Sequence, residues 1–315
     1  KTDGGLILKP ASSILKSRRI KFQLSGPRFK GLFDKQNDEL FIPAEESQLE
    51  GLLVDLVDLF GLINNTLTLT RQVEDLIVGF KQEKLDFIER VDLAAAVWDG
   101  NLESEQLAEF TSTLKSSFVR ILYPKQLLSS FHLACSRHAC NFSVPGAGKS
   151  SILLGAYSYH STSANGVLKK NPLLIIVGPL SSFGSWDNEW KGCFGVEGDL
   201  RRLSGIDKSQ KNSFFEEVFA KGAVALPDAI LMHYQTMASE QSNLAKLFYM
   251  SDVMFVIDEA HYIKNTEDGV WSQAALALSP LAKSRVLLTG TPAPNGYEDL
   301  YNLMKFLWPK EHVLD

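Results

Sequence analysis

The pattern of hydrophobic and polar positions divides the chain into two parts. Residues 1–45 carry short apolar runs interrupted by Gly and Pro, which predict two or three short strands and loops. From Ser47 onward, apolar residues recur every three or four positions in "SQLEGLLVDLVDLF", which predicts an amphipathic helix. The apolar face of that helix is predicted to comprise Leu49, Leu52, Leu53, Leu56, Val57 and Phe60.

Helical patterns continue over "QVEDLIVGFKQEKLDFIERVDLAAAVW" and "ESEQLAEFTSTLKSSF". The second of these begins with an acidic first turn, which is typical of a helix start. Residues 1–118 are therefore predicted to form a small accessory module, mostly helical or α+β. Such a module would serve as structural support, as a regulatory cover or as a surface for protein partners, and the pattern does not choose among these roles.

After Tyr123-Pro124 the pattern changes to short apolar runs separated by helix-compatible segments. The predicted strands are "CNFSV", "PLLIIVGP", "AILMHY", "VMFVIDE" and "SRVLLTG". Runs that are apolar on both faces and alternate with helices indicate a parallel sheet covered on both sides, an α/β fold. Ligands bind at the carboxyl ends of the strands in such sheets. Residues 119–315 are thus predicted to form one α/β domain, with its chemistry directly after each apolar run.

Composition and charge narrow the class of protein. No apolar run approaches the length of a membrane span, and the three cysteines form no disulfide framework, so we expect a soluble intracellular protein with no membrane contact. The net charge of −5 is unevenly spread: residues 1–30 hold eight Lys/Arg and one Asp, whereas residues 31–120 hold seven basic and eighteen acidic residues. A basic start of this kind is either a solvated arm or a nucleic-acid contact.

The stretch "FSVPGAGKSS", residues 142–151, has the order of a phosphate-binding loop between a strand and a helix. It differs from the G-x-x-x-x-G-K-[ST] pattern by a Ser in the first position. Gly146 and Gly148 allow backbone amides to face phosphates, Lys149 reaches outer phosphate oxygens, and Ser150 offers a hydroxyl to Mg²⁺. The residues predicted to contact the nucleotide are Pro145, Gly146, Ala147, Gly148, Lys149, Ser150 and Ser151.

Two later strand ends carry matching chemistry. "VMFVIDEAH" delivers Asp258 and Glu259 to the end of a buried strand, where the first suits Mg²⁺ and the second suits the attacking water. Adjacent acids in this position are costly unless a cation or a partner uses them. "VLLTGTP" places Thr289 and Thr291 at the next strand end, where their hydroxyls can bond to the acidic loop.

These motifs, taken in order, resemble a known family. "SVPGAGKS", "LLIIVGPLSSFGSWDNEWKGCFG", "AILMHYQTM", "FVIDEAHYIKN" and "RVLLTGTPAPNGYEDLYNLMKFLWP" are similar to the first RecA-like motor lobe of Swi/Snf-type DNA translocases, within the superfamily-two helicases. The likeness covers residues 121–310. It implies a motor that hydrolyses ATP and moves along double-stranded DNA. The phosphate loop departs from the acidic, methionine-bearing loop usual in that family, which identifies a divergent relative.

The resemblance also implies roles for individual residues. Lys149, Asp258 and Glu259 would be catalytic, with Ser150 and Asp258 holding Mg²⁺. Gln126, in "YPKQ", resembles the glutamine that reads adenine. The residues implied to couple hydrolysis to DNA are His261, Thr289, Gly290 and Thr291. The residues that match DNA-contact segments of the family are Ser181, Ser182, Trp186, His233 and Tyr234.

Two other patterns have a structural interpretation. Trp186 and Trp190 are spaced by four residues, which favours packing on one helix face over base stacking. "CSRHAC" brings Cys135, His138 and Cys140 together, but a structural zinc site needs four ligands, and no second Cys/His pair lies nearby in sequence. Packed cysteines are therefore the better interpretation.

The resemblance leaves the wider setting open. Because the first residue is Lys1 and the last is Asp315, we expect this chain to be a piece of a longer protein whose second motor lobe follows. We also expect a prokaryotic, cytoplasmic protein of genome defence or DNA maintenance, with a nuclear location as the alternative. The rival functions are an RNA or single-strand helicase of the same superfamily and a nucleotide-dependent protein switch.

Overall fold

The fold is known from a computed structural model whose described residues form two compact units, Lys1–Glu89 and Arg90–Asp315. The described residues are 4–44, 49–61, 68–75, 77–78, 92, 95–96, 105–161, 172–195, 198–264 and 269–309.

The first unit is an α+β module around a three-stranded antiparallel sheet. Its strands have the order β1-β3-β2. Alternate residues of β3, Leu40 and Ile42, are buried, and they pack with Ile20 and Leu24 into one hydrophobic core. The strands and helices described in this unit are β1 (Gly5–Leu8), α1 (Ala11–Ile14), α2 (Arg18–Leu24), β2 (Leu32–Asp34), β3 (Glu39–Pro43) and α3 (Leu49–Gly61).

Helix α3 lies where the apolar periodicity predicts a helix, and its face differs from the prediction at one position. Val57 is 45% exposed, whereas the other five predicted residues of the face are buried. At about 100° per residue, the five buried residues lie within about 60° of the centre of the face, whereas Val57 lies about 80° from it, beyond the margin. The helical pattern predicted over residues 72–98 lies largely outside the described residues.

The next helix, α4 (Glu105–Ser117), belongs to the second unit. Its buried Phe110 and Leu114 share a hydrophobic cluster with Phe131 and Tyr157, and the Phe110 and Phe131 ring centroids are 5.3 Å apart. The unit boundary after Glu89 thus differs from the predicted boundary after residue 118. An amphipathic pattern shows that a helix has a buried face, but it does not show which core receives that face.

The second unit contains a six-stranded parallel sheet of order β4-β9-β8-β5-β7-β6. Strands β5 and β8 are buried along their whole length, as expected for central parallel strands. The short edge strand β6 has no counterpart among the predicted strands. The strands are β4 (His138–Asn141), β5 (Leu173–Val177), β6 (Leu200–Arg202), β7 (Ala229–Met232), β8 (Val253–Asp258) and β9 (Ser284–Leu288).

Helices cover both faces of this sheet. Leu173, Ile175 and Val177 of β5 face one hydrophobic cluster, while the alternate residues Leu174 and Ile176 face the other. The second of these clusters includes residues of α4. The remaining helices are α5 (Pro124–Ser136), α6 (Lys149–Ser161), α7 (Phe183–Phe194), α8 (Lys208–Lys221), α9 (Tyr234–Ser239), α10 (Gln241–Met250), α11 (Val270–Leu278) and α12 (Leu300–Leu307).

The predicted α/β class, with a smaller module before a RecA-like lobe, is confirmed by this arrangement. Full burial of one Leu, Ile or Val side chain is worth about 1.5–3 kcal/mol, so the central strands contribute much of the driving force for folding. Within the described ranges, no helix is both long enough and apolar enough to cross a membrane.

Candidate active site

The sheet register brings the predicted motifs to one edge of the sheet. Asn141 pairs with Leu288, and Leu288 pairs with Asp258, while Val177 pairs with both Ile257 and Met232. Because all of these strands are parallel, the segments that follow them emerge on the same side. These segments are the phosphate loop, the turn at Pro179, His233, the acidic box formed by Asp258 and Glu259, and the loop that begins at Thr289.

The phosphate loop is curled around its own lysine. Gly146 and Gly148 have φ angles of +84° and +83°, which glycine adopts without steric cost. Lys149, the first residue of α6, donates from Nζ to the Ser143 carbonyl at 2.9 Å and the Val144 carbonyl at 3.4 Å. A cationic side chain and helix-start amides in one loop fit a phosphate group. The donors present therefore match the predicted nucleotide site.

Asn141 anchors the start of this loop, a role that the sequence patterns do not reveal. It is the last residue of β4 and is buried. Its Oδ1 accepts a hydrogen bond from the Ser143 amide at 3.0 Å and another from the Ser143 hydroxyl. This side-chain turn fixes the direction in which the chain leaves the strand.

The side-chain amide of Gln126 joins the start of α5 to the phosphate loop. Its Oε1 accepts from the Tyr123 amide at 3.1 Å, and its Nε2 donates to the Ala147 carbonyl at 3.0 Å. Both ends of the amide are thus engaged with the backbone. The adenine-reading role of Gln126 stays a prediction, and the geometry adds a contact that supports the loop.

Gly148→Ala is expected to weaken ATP binding by about tenfold more than Gly146→Ala. A Cβ at Gly148 would lie 2.4 Å from Gln126 Nε2, whereas a Cβ at Gly146 meets nothing within 4 Å. Both changes place alanine in left-handed backbone, at a cost of about 1–2 kcal/mol each. Only the first also displaces the glutamine from Ala147. Calorimetric ATP titrations and thermal unfolding of both variants separate the two effects, and equal losses of affinity would contradict the role of Gln126.

Asp258 ends β8 in a buried pocket. It is 9% exposed, and its Oδ2 accepts a hydrogen bond from the Trp186 indole Nε1 at 2.9 Å. Burial raises the pKa of its carboxyl above the usual range, aided by the charge of Glu259, although the Trp186 and Ser182 hydrogen bonds act in the opposite direction. A divalent cation would favour the charged form of such a carboxylate. The chemistry of Asp258 therefore fits a Mg²⁺ ligand, and the hydroxyl of Ser150 would be the second.

Glu259 lies in left-handed backbone, with a φ angle of +53°. Non-glycine residues rarely adopt this conformation, and it occurs preferentially where a site must be held in place. Here Tyr234 supplies a constraint, because its hydroxyl donates to the Asp258 carbonyl and, at 3.2 Å, to the Glu259 carbonyl. The backbone therefore leaves the strand direction at Glu259, directly after the end of β8.

A series of polar contacts connects the acidic box to the next strand end. His261 Nδ1 lies 3.3 Å from Glu259 Oε2 and 3.3 Å from the hydroxyl of Thr289. That hydroxyl also accepts from the Thr291 amide at 3.2 Å. Gly290 packs on the phosphate loop, since a Cβ there would lie 3.1 Å from Pro145 Cδ. The four residues predicted to couple hydrolysis to DNA are therefore placed between the acids and the phosphate loop.

Three of the predicted DNA or nucleotide contacts are placed differently by the structure. Trp186 and Tyr234 are each 1% exposed, and their polar atoms hold the acidic box, so they present no surface to DNA. Ser151 is 2% exposed, and its hydroxyl donates to Glu189. The roles of these three side chains as ligand contacts stay predictions, and the structure gives each of them a partner within the protein. The packing interpretation of Trp186 and Trp190 is confirmed.

The remaining predicted DNA contacts lie closer to solvent. Ser181 is exposed. Ser182 is half-buried, and its hydroxyl donates to the Pro179 carbonyl at 2.9 Å. His233 caps α9, since its Nδ1 accepts from the Gln235 amide at 3.1 Å. Burial lowers the pKa of its imidazole, so the neutral ring carries its proton on Nε2 and offers a donor there.

The Cys135, His138 and Cys140 cluster shows no metal geometry. Cys135 is the penultimate residue of α5, and His138 Nε2 lies 2.9 Å from an Arg285 nitrogen. Across the ranges that the structure describes, no three His, Cys, Asp or Glu side chains come together as a metal site.

Part of this chain is similar in sequence to several named proteins. DNA repair protein rad5 of Aspergillus fumigatus is 32% identical over 157 residues, a match that covers 46% of this chain and 12% of that protein. Protein CHROMATIN REMODELING 5 of Arabidopsis thaliana is 28% identical over 141 residues, covering 44% of this chain and 8% of that protein. ISWI chromatin-remodeling complex ATPase ISW2 of Saccharomyces cerevisiae is 31% identical over 141 residues, covering 44% and 11%.

Each of these relatives is thus matched over only a small part of its length. The SNF2-related domain family, in contrast, matches residues 59–313, which is most of this chain. The matched range contains the whole parallel sheet and every residue of the nucleotide site described above. The predicted resemblance is therefore confirmed: the chain belongs to the SNF2-related domain family and carries a Swi/Snf-type, superfamily-two ATPase motor lobe.

Proposed function

We propose that this lobe binds ATP with Mg²⁺ and drives an ATP-dependent translocase along double-stranded DNA. The observation that carries the proposal is the series of contacts from Glu259 through His261 and Thr289 to Thr291. It joins the acid that would act on water to the strand end beside it. A lobe that only stored a nucleotide would need no such connection.

The nucleotide half of the proposal assigns a task to each side chain. Lys149 and the loop amides bind the outer phosphates, and Ser150 and Asp258 hold Mg²⁺. When bound, Mg²⁺ neutralises phosphate charge and orients the phosphate that is transferred. Glu259 accepts a proton from the attacking water through its carboxylate. Trp186 holds the carboxylate of Asp258, and Tyr234 holds the backbone carbonyls of Asp258 and Glu259.

The DNA half of the proposal rests on an exposed hydroxyl and a half-buried imidazole at the same sheet edge. Ser181 and His233 offer neutral donors, which bind phosphate oxygens without reading sequence. Sequence-independent contact of this kind suits a motor that moves along the duplex. The relatives named above act in DNA repair and chromatin remodelling, according to their names, and this supports DNA as the partner.

Full activity is proposed to require a second motor lobe from the parent chain. A second lobe would supply an arginine to the transferring phosphate, a contribution of about 10³-fold or more in rate. The 315-residue chain alone is therefore proposed to hydrolyse ATP slowly. We propose protein partners for the N-terminal module. The relatives come from fungi and a plant, so they support a nuclear location rather than the prokaryotic cytoplasm.

Displacement of a third strand from a DNA triplex tests the proposed movement directly. The full-length protein is expected to release the triplex strand when ATP and Mg²⁺ are present and to leave it bound when ATP is omitted. Release without ATP would contradict the proposal, as would ATP hydrolysis with no release. Unwinding of a duplex or of an RNA hairpin in the same assay would identify a helicase instead.

Thr289→Val is expected to uncouple hydrolysis from DNA. Valine preserves the volume of this fully buried side chain but removes the hydroxyl that contacts His261 and Thr291. We expect basal ATP turnover to stay within about threefold of wild type while stimulation by duplex DNA falls by about tenfold, a typical coupling magnitude. Thr111→Val, which removes a hydroxyl bonded at 2.7 Å to a helix carbonyl of α4, is the matched control. An equal loss in both variants would contradict coupling through Thr289.

A further inference from the structure

Helix α7 makes hydrogen bonds to both halves of the nucleotide site. Trp186 donates from Nε1 to Asp258 Oδ2 at 2.9 Å, and Glu189 accepts from the hydroxyl of Ser151 in the phosphate-loop helix. Residues three apart lie on the same face of a helix, so one face of α7 carries both bonds. The distance between the phosphate loop and the Mg²⁺-binding acid is therefore spanned by a single rigid element.

Arg120 locks the Glu189 end of this connection. One of its terminal nitrogens donates to Glu189 Oε1 at 2.9 Å and to Ser151 Oγ at 3.3 Å. The guanidinium lies against Gly192 of α7, where a Cβ would come within 2.7 Å of it. The neighbouring Val119 amide also donates to the Cys193 carbonyl at 2.7 Å. The segment before α5 is thus fixed to α7 at two points.

The other end of α7 leads to the proposed DNA contact. The helix follows directly after a short 3₁₀ turn, Leu180–Ser182, which contains the exposed Ser181. Ser182, in the same turn, lies next to Asp258: a Cβ at Gly178 would be 3.1 Å from Ser182 Oγ and 3.3 Å from Asp258 Oδ2. A displacement of this turn would therefore shift both Asp258 and the helix that follows the turn.

We infer that α7 is a positioning element, in which Trp186, Glu189 and Arg120 hold Asp258 and the phosphate-loop helix in register with each other and with the turn at Ser181. Each of the three side chains is bonded to a residue of the proposed site or to another of the three, so each acts through another residue. This inference rests on the proposed nucleotide site and adds to it the residues that set its geometry. It also explains why α7 carries two hydrogen-bonded polar groups, the Trp186 indole and the Glu189 carboxylate, on one face.

The two arms of α7 are the Trp186 contact with Asp258 and the Glu189 contact with Ser151. They are distinguished by how ATP binding depends on Mg²⁺. Trp186→Phe removes the donor to Asp258 but keeps an aromatic ring in the core. We expect ATP affinity without Mg²⁺ to stay near the wild-type value and the enhancement by Mg²⁺ to fall by about tenfold, the size expected for one lost hydrogen bond to a charged group. Glu189→Ala is expected to weaken ATP binding by about tenfold whether or not Mg²⁺ is present, because the phosphate-loop helix loses its anchor.

Calorimetric titration of the full-length protein with ATP, with and without Mg²⁺, measures both effects. Asn188→Ala, an exposed substitution on the same helix, should leave both constants unchanged. Glu189→Gln, which retains an acceptor for Ser151, should restore most of the lost affinity. Thermal unfolding of each variant identifies any that do not fold, and the Gln variant keeps the test available if the Ala variant fails.

The inference is overturned if Trp186→Phe and Glu189→Ala lower only the unfolding temperature, or if both change ATP affinity in the same Mg²⁺-independent way. These binding constants are measured without DNA, so they are separate from the proposed translocase function. If the wild-type protein binds Mg²⁺ and ATP but does not respond to duplex DNA, the translocase function is refuted. The binding constants of the variants would still test the positioning role of α7. Loss of ATP binding in the wild type would refute both.

Discussion

Lys149→Ala is expected to lower kcat/KM for ATP by about 10³-fold and to abolish detectable nucleotide binding. Lys149 supplies the cation of the phosphate loop, and its Nζ already lies within the loop, 2.9 Å from the Ser143 carbonyl. Alanine leaves the loop with backbone amides alone, which attract phosphate less strongly than amides with a cation. Steady-state turnover and calorimetric titration measure the two losses.

Lys208→Ala is the matched control for this variant. Lys208 is the first residue of α8, just as Lys149 is the first residue of α6, but it is exposed and belongs to a helix that supplies no residue to the proposed nucleotide site. Its replacement should change neither binding nor turnover. Retention of ATP binding by Lys149→Ala at the wild-type level would contradict the assignment of the phosphate loop.

Glu259→Gln is expected to separate binding from hydrolysis. The amide has nearly the same shape as the carboxylate but does not accept a proton from water, so turnover should fall by about 10²–10⁴-fold while the affinity for ATP with Mg²⁺ stays near wild type. A pre-formed complex of this variant with ATP should therefore persist. Single-turnover hydrolysis and equilibrium titration provide the two measurements.

Glu298→Gln tests whether any loss of charge near the site has the same effect. Glu298 is exposed, in the 3₁₀ turn Tyr297–Asp299 beyond the Thr289 loop. Its replacement should leave turnover unchanged. If Glu259→Gln loses ATP affinity in proportion to turnover, then Glu259 binds the nucleotide instead of acting on water, and its proposed role is wrong.

The succession of strands along the chain and the position of the site could be predicted because both follow from strong local patterns. Strands β5 and β7 are continuous apolar runs, β8 is apolar up to its final Asp258, and β9 is apolar over its last three residues. The strand before the phosphate loop, His138–Asn141, overlaps the predicted "CNFSV" by only two residues, because its first residues lack an apolar run. Strand β6, "LRR", was not predictable in this way, since a three-residue edge strand with two arginines lacks an apolar run. Its pairing with β7 is a consequence of tertiary structure.

The roles of Trp186, Tyr234 and Ser151 were not predictable from their motifs. A motif fixes the position of a residue along the chain, but the direction of its side chain depends on the neighbours that folding brings. Trp186 points inward because its indole reaches Asp258, seventy-two residues away in sequence. The sequence patterns assigned no role to Glu189 or Arg120, and only their shared contact with Ser151 identifies them.

The most direct test of the account is ATP turnover by the full-length protein, measured alone and with blunt duplex DNA, single-stranded DNA and RNA. We expect strong stimulation by the duplex, weaker stimulation by the other two, and a kcat/KM for ATP about 10³-fold lower in Lys149→Ala. Preference for single strands or RNA would identify a helicase of the same superfamily. Turnover that is indifferent to every nucleic acid would contradict the motor and favour a nucleotide-dependent protein switch.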